Sequence, residues 1–206
     1  LLPETMHVLD GPVDTLRWDL ADLAAGADRP VPDRIIPSLL RGFSAPVILH
    51  APLDAGDRLV LLAHDTDPFN RWEAGRSLMR ETLLGMLSGA NAPDPALFDA
   101  MARVAEDDSV DPAFRALALS LPSEDDLAQA AADAGVVPDP TAIHAARISF
   151  ARQFAERQAQ LLRRLYDALD PGPDYSPDAE QAAKRALRNT CLSLLARVEG
   201  PGRARA

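Results

Sequence analysis

Residues 37–87 read PSLLRGFSAPVILHAPLDAGDRLVLLAHDTDPFNRWEAGRSLMRETLLGML, and within them the chain changes its period. The first third, with Val47-Ile48-Leu49 between Pro46 and Pro52, reads as extended chain. Prolines this frequent exclude a helix and suit edge or bulged strands. From Asp54 onward apolar residues recur at intervals of three and four. Asp67-Pro68 then pairs an N-cap aspartate with a proline at the first helical position. The helix it opens runs to about Ser88. Its apolar face is Phe69, Trp72, Leu78, Met79, Leu83, Met86 and Leu87, and Ala74 and Gly75 leave room for a neighbour to approach.

Toward the N-terminus the same reading extends the sheet. Met6–Leu9 is a short strand candidate that stops at the turn signal Asp10-Gly11-Pro12. Val13–Leu20 partly alternates, and Ile35-Ile36 is β-branched. Residues 21–33 form a loop, with a short helical turn over Asp22–Ala25 as a further reading. Three or four such strands expose too much edge to stand alone, so they belong to a larger sheet or pack on the helices.

Toward the C-terminus the chain is helix upon helix. Helices are expected at 55–64, 67–88, 93–106, 112–121, 123–134, 140–169 and 177–199. Asp111-Pro112 and Asp139-Pro140 repeat the aspartate–proline start, Ser123-x-x-Asp126 resembles a capping box, and Ser176-Pro177 opens the last helix. The helix over 140–169 would be the longest, roughly 45 Å. Its stripe is Ile143, Phe150, Phe154, Leu161, Leu165 and Leu169. The tail GPGRARA is polar and is expected to fray. Short loops imply antiparallel neighbours, and stacked pairs of them an irregular α-solenoid. The fold class is mainly α, with a small β-rich portion over residues 1–53 and a helical portion over 54–206.

With 206 residues the chain can bury roughly 70% of its extended surface without staples. The net charge of −10 would repel phosphate backbones, which argues against nucleic acid as a partner. Cys191 is the single cysteine, so no internal disulfide can form; this fits a reducing, cytoplasmic compartment. No apolar run is long enough to span a membrane. The start LLPETMHVLD carries no signal-peptide pattern and no initiator methionine, which implies a cut inside a longer chain.

Chemistry-bearing residues are present, but each has a plain structural use. His7, His50, His64 and His144 lie in no H-E-x-x-H motif and at no metal-ligand spacing. Cys191 sits on the apolar face of a helix, where a buried thiol is the expectation and a nucleophile the alternative. His64, Asp65 and Asp67 read as a helix end followed by a capped start; a carboxylate–histidine site is the other reading. Glu124, Asp125 and Asp126 suit the positive end of a helix dipole, against a calcium site. Arg71, Arg76 and Arg80 read as a salt-bridged face, against an anion site. Arg188 and Asn189 interrupt an apolar helix and are expected to bond a neighbouring helix or loop end.

The segments PSLLRGFSAPV (37–47) and LLAHDTDPFNRWEAGRSL (61–78) resemble bacterial aminopeptidase N, the zinc-dependent alanyl aminopeptidase, where its Ig-like β-sandwich domain passes into its C-terminal helical domain. The resemblance continues in order through VDPAFRALALSLPSEDDLA (110–128), DPTAIHAARISFARQFAERQAQLLRRLYDAL (139–169) and AAKRALRNTCLSLLAR (182–197). It implies an armadillo- or HEAT-like helical segment of an enzyme that removes N-terminal residues from peptides. That family holds its zinc with H-E-x-x-H and a downstream Glu, and binds the substrate amine with a G-x-M-E-N-type loop. Neither motif occurs here, so no catalytic, cofactor or metal residue carries over. The zinc would belong to the parent enzyme. The implied partners are the catalytic domain of the same chain and, for the parent, peptide substrates. The implied role is to brace that domain and help enclose its active-site chamber. A free-standing helical scaffold that binds proteins or peptides is the competing reading.

Overall fold

The computed structural model describes residues 4–19, 21, 34–44, 46–47, 49–89, 92–172 and 174–199. These fall into two compact units divided between Pro37 and Ser38.

In the first unit the described residues form no strand. Met6, Val8 and Val13 are strongly exposed, and a His7–Asp14 pair at 2.7 Å closes a local turn. The strands expected at Met6–Leu9, Val13–Leu20, Ile35-Ile36 and Val47–Leu49, and the β-rich Ig-like portion they would compose, do not form among the described residues. The physical reason is the one that makes a lone strand unstable: among the described residues no second edge is present to take its backbone N–H and C=O groups, so water solvates them. Leu20, Ile48, the turn over 22–25 and the tail 200–206 lie outside the described residues.

The second unit holds eight helices among its described residues: α1 (Ala55–His64), α2 (Pro68–Leu87), α3 (Pro95–Glu106), α4 (Pro112–Ala118), α5 (Glu124–Asp133), α6 (Pro140–Arg157), α7 (Ala159–Ala168) and α8 (Ala179–Glu199). Four of them begin at an aspartate–proline step. Asp67, Asp94, Asp111 and Asp139 each turn a carboxylate onto the first free N–H groups, and the proline that follows has no N–H to leave unpaired. The Asp94-Pro95 start is an addition to those read from sequence. Capping boxes close α1 (Asp54 with Asp57) and α5 (Ser123 with Asp126). The last helix starts at Ala179 rather than Ser176-Pro177, because Asp178 is the residue that caps the Gln181 N–H, at 2.8 Å.

The single long helix expected over 140–169 is two. Gln158 leaves helical geometry (φ −107°, ψ 19°), and α6 ends there while α7 begins. The backbone bonds Gln158 N to Phe154 O and Leu162 N to Gln158 O, both 2.9 Å, still run through the break. The change of direction therefore sacrifices little. It lets α6 pack on α8, α2 and α5 while α7 turns onto α8 and α3.

The core runs from the α1–α2 pair, against which α3 and α6 pack, to α8, which packs on α4, α6 and α7. Phe98 stacks edge-on against Phe150 (5.1 Å between centroids) and Phe154 (5.6 Å). Leu62, Met79, Met101, Leu127, Ile143, Leu162 and Leu187 fill the space around them, each at most 2% exposed. At Gly75 the side chain of α1's Leu62 lies close against α2: a Cβ there would stand 3.0 Å from Leu62 Cδ1. Phe69 and Trp72, expected on the inner face of α2, are only half-buried. The inner face instead carries Arg71, Ala74, Gly75, Ser77, Leu78, Met79 and Leu83.

Candidate functional site

A dense polar arrangement in the second unit is built on the three-residue corner between α1 and α2, Asp65-Thr66-Asp67. A short left-handed turn at Leu40–Gly42 is fastened onto it. Leu40 (φ +54°) and Gly42 (φ +61°) both lie in the left-handed region. A leucine there costs about 1–2 kcal/mol, so the turn needs external bonds to hold it. It has them. Arg41 Nη1 donates to Asp65 Oδ1 at 2.6 Å and to Ser38 Oγ at 2.9 Å, and Arg41 Nη2 donates to Thr66 Oγ1 at 2.7 Å. The Gly42 N–H donates to Asp67 Oδ2 at 2.9 Å. Asn70 Nδ2 donates to Ser38 Oγ and to Leu39 O, each at 2.9 Å.

Both aspartates are buried and both work twice. Asp67 Oδ1 caps α2 through Asn70 N at 2.9 Å while its other oxygen holds Gly42. Asp65 Oδ1 accepts from Arg41 and from the Asp67 N–H at 2.9 Å, but Asp65 Oδ2 has no hydrogen-bond partner among the described residues. His64 is exposed at the end of α1 and makes none of these bonds. The trio His64, Asp65 and Asp67 is thus adjacent without converging: the carboxylates bind backbone and arginine, which is the helix-end and capped-start reading.

Beside the corner a cleft of about 520 Å³ opens toward the loop between α3 and α4. Asp65, Thr66, Asp107, Ser109 and Asp111 line it together with His64, Arg71, Pro68, Val110 and Phe114. Arg71 is buried; its Nε donates to Leu62 O at 3.1 Å and its Nη1 to Asp107 Oδ2 at 2.7 Å. The Ser109 hydroxyl and then Arg71 hold the Asp107 carboxyl below its ordinary pKa. A second buried arginine, Arg115, donates through Nε to Ala105 O at 2.8 Å and through Nη2 to the same oxygen, closing the C-terminal end of α3.

The remaining candidates are dispersed. Arg71, Arg76 and Arg80 do not converge: Arg71 points inward, whereas Arg76 lies over the Trp72 ring (5.2 Å) and pairs with Asp126 at 2.7 Å. Glu124 accepts from His144 at 2.8 Å and Arg147 at 3.2 Å; those partners, His144 first, keep its pKa low. Arg188 donates to Tyr166 O at 3.1 Å and to Asp170 at 3.3 Å, bonding the end of α7 as its sequence context implies. Cys191 is buried, and burial pushes its thiol up to about 11, far from a nucleophile's range. Among the described residues no three His, Cys, Asp or Glu side chains gather where they could hold a metal ion. No described helix is long and apolar enough to cross a membrane.

Sequence reading missed the clamp because its partners lie far apart in the chain. The signal was present as Asp65, the Asp67-Pro68 step and the Arg41-Gly42 step, but only the fold brings them together.

Comparison with known proteins agrees with this helical build. Residues 55–206 match the family model described as a domain of unknown function (DUF3458_C), ARM repeats. Aminopeptidase N of Caulobacter vibrioides is 42% identical over 190 residues, covering 91% of this chain and 20% of that protein. Aminopeptidase N of Escherichia coli K12 is 32% identical over 166 residues, or 78% of this chain and 18% of the relative. The crystal structure of Legionella pneumophila aminopeptidase A in complex with aspartic acid superposes with a TM-score of 0.67 at 27% identity, covering 80% of this chain and 20% of that one. The chain thus spans about one fifth of the length of the relatives it matches.

Proposed function

The chain belongs to the DUF3458_C ARM-repeat family and is similar to a segment of aminopeptidase N, and on that basis we propose that it is a non-catalytic structural segment of a longer zinc aminopeptidase that releases N-terminal residues from peptides. Residues 54–206 are the first part of its C-terminal helical domain and residues 1–53 lead into it. The helices brace the catalytic domain of the same chain and help enclose its chamber, in the cytoplasm. The observation that carries this reading is the clamp. Apart from Asp65 Oδ2, the corner's carboxylate oxygens are spent on locking Leu40–Gly42 to the start of α2, which is what a load-transmitting joint requires and a reaction centre does not. Cys191 is likewise withdrawn from chemistry by burial.

The test is an assay of the purified chain with an alanyl anilide, alongside its zinc content. Neither hydrolysis nor stoichiometric zinc is expected. Either one, in a preparation free of contaminating peptidase, would overturn the proposal.

A further inference from the structure

Asp10-Gly11 is the one Asp-Gly step in the sequence, and no Asn-Gly step occurs. It stands at the head of a short loop whose ends are joined by His7 Nε2 and Asp14 Oδ2 at 2.7 Å. Neither residue belongs to a helix or a strand. Asp10 is exposed, and its carboxylate has no hydrogen bond or ion pair among the described residues. Gly11 lies outside the left-handed region, and a Cβ built on it would meet only Val13 O, at 3.9 Å. The backbone therefore does not require glycine here. What glycine supplies is an amide nitrogen beside a free carboxylate, with no side chain to shield it. Other aspartates are held away from this arrangement. Asp67, Asp94 and Asp111 each spend a carboxylate oxygen on an N–H group of a helix's first turn. At Asp108-Ser109 the Ser109 N–H donates to Asp107 Oδ1 at 3.3 Å. At Asp14-Thr15 the nitrogen lies 2.7 Å from Asp14 Oδ1, but His7 grips that carboxylate and the β-branched threonine crowds the nitrogen.

We propose that Asp10 is a modification site, at which the chain isomerises to isoaspartate. The Gly11 backbone nitrogen attacks Asp10 Cγ, and the two groups are neighbours in one chain, so the attack needs no encounter. A C–N bond forms, the amide proton and the carboxyl hydroxyl leave as water, and a five-membered succinimide results. Water then opens the ring. Breaking the bond from nitrogen to Cγ restores aspartate. Breaking the bond from nitrogen to the Asp10 backbone carbonyl carbon sends the chain through Cβ and Cγ and frees the former backbone carbonyl as a carboxylate. The water lost is regained, so mass is unchanged and no oxidant, reductant or other co-reactant is needed. The partner this product fits is a carboxyl methyltransferase that takes its methyl group from S-adenosylmethionine and esterifies the freed carboxylate on exposed chain.

The test is to age the 206-residue chain in warm, mildly acidic buffer, both native and in guanidinium chloride, and to map the tryptic peptide that ends at Arg17. Electron-transfer fragmentation tells isoaspartate from aspartate at each position. Methyl groups accepted from labelled S-adenosylmethionine, with an isoaspartate methyltransferase as the probe, count the product. Isoaspartate should accumulate at Asp10 in the native chain, ahead of Asp14 and Asp108, and the methyl label should rise with it. The fold does not restrain Asp10, so its rate should be nearly the same in denaturant, whereas Asp108 should speed up once the Ser109 N–H is released. Gly11→Ala adds a Cβ where there is room for one, and should slow the reaction severalfold without loss of melting temperature. Absence of isoaspartate at Asp10, a native rate far below the denatured one, or an unchanged rate in Gly11→Ala would overturn the proposal. Isoaspartate that takes no methyl label would overturn its partner.

Discussion

Arg41 reaches across 24 positions of sequence to place its Nη1 2.6 Å from Asp65 Oδ1, and the Asp65 side chain is only 1% exposed. The pair is asymmetric, since Arg41 keeps 22% of its side-chain surface. Removing the arginine strands a buried carboxylate, whereas removing both charges does not. Arg41→Ala is therefore expected to cost about 3–5 kcal/mol, and Arg41→Ala with Asp65→Asn clearly less than the sum of the two single changes. Urea unfolding of the four proteins in the cycle measures this; simple additivity would mean that the pair is uncoupled.

The two aromatic positions on α2 and α3 separate by burial. Phe98 is 4% exposed and meets two phenylalanine rings. Phe98→Ala should cost about 3–5 kcal/mol. Trp72 is half-buried and held chiefly by Phe69 and Arg76, so Trp72→Ala should cost only about 1–2 kcal/mol. Thermal or urea denaturation ranks them, and the reverse order would mean that the core lies elsewhere.

Gly75→Ala sets helix propensity against space. Alanine gains about 1 kcal/mol in a helix interior. The new Cβ, however, would stand 3.0 Å from Leu62 Cδ1, and Leu62 is itself enclosed at 1% exposure. Overpacking of this kind costs about 1–3 kcal/mol, so the variant is expected to be less stable. Adding Leu62→Ala should relieve the crowding, and the double variant should fall short of the summed losses.

Acid should weaken the fold through carboxylates whose folded pKa lies below the ordinary value. Asp107, held down by Ser109 and then Arg71, and Asp126, held down by Ser123 and then Arg76, are two such groups. Below about pH 4 the unfolded chain takes up protons that the folded chain still refuses. The stability these groups contribute is thus complete above the unfolded pKa and drains away as pH falls through the folded one. Melting temperature should be level above about pH 5 and drop below it. Asp107→Asn should flatten part of that drop.

Cys191, with its thiol pushed up to about 11 by burial, should resist a thiol reagent at pH 8 in the native chain. One equivalent should react at once in denaturant, since the sequence holds one cysteine. Fast labelling of the native chain would show that α8 opens readily.

Helix starts were legible because their chemistry is local: an aspartate, a proline, and the free N–H groups one turn away. The buried arginines were not. Arg71 looks like a member of a solvated face when only spacing is read, Arg115 has no pattern that singles it out, and their acceptors, the Leu62 and Ala105 carbonyls, sit on other helices. The break at Gln158 carries neither proline nor glycine, and it leaves the flanking backbone bonds intact, so no residue type announces it. The expected strands failed for a complementary reason. A β-branched run such as Ile35-Ile36 states a preference, and the preference is realised only beside a second edge. At the candidate site, the cap function of Asp67 was readable, whereas its second bond to Gly42 was not.

The aspartate–proline starts also act as punctuation. A proline can only stand in the first turn, and the aspartate before it binds the N–H groups of that same turn, so the phase of each helix is set where it begins. An extra residue in the loop between Ser88 and Pro93 would lengthen the loop without rotating α3, because Asp94 and Pro95 fix which of its side chains turn inward. Errors of length are contained between one helix and the next. A chain written this way can gain and lose loop residues while every core position keeps its place.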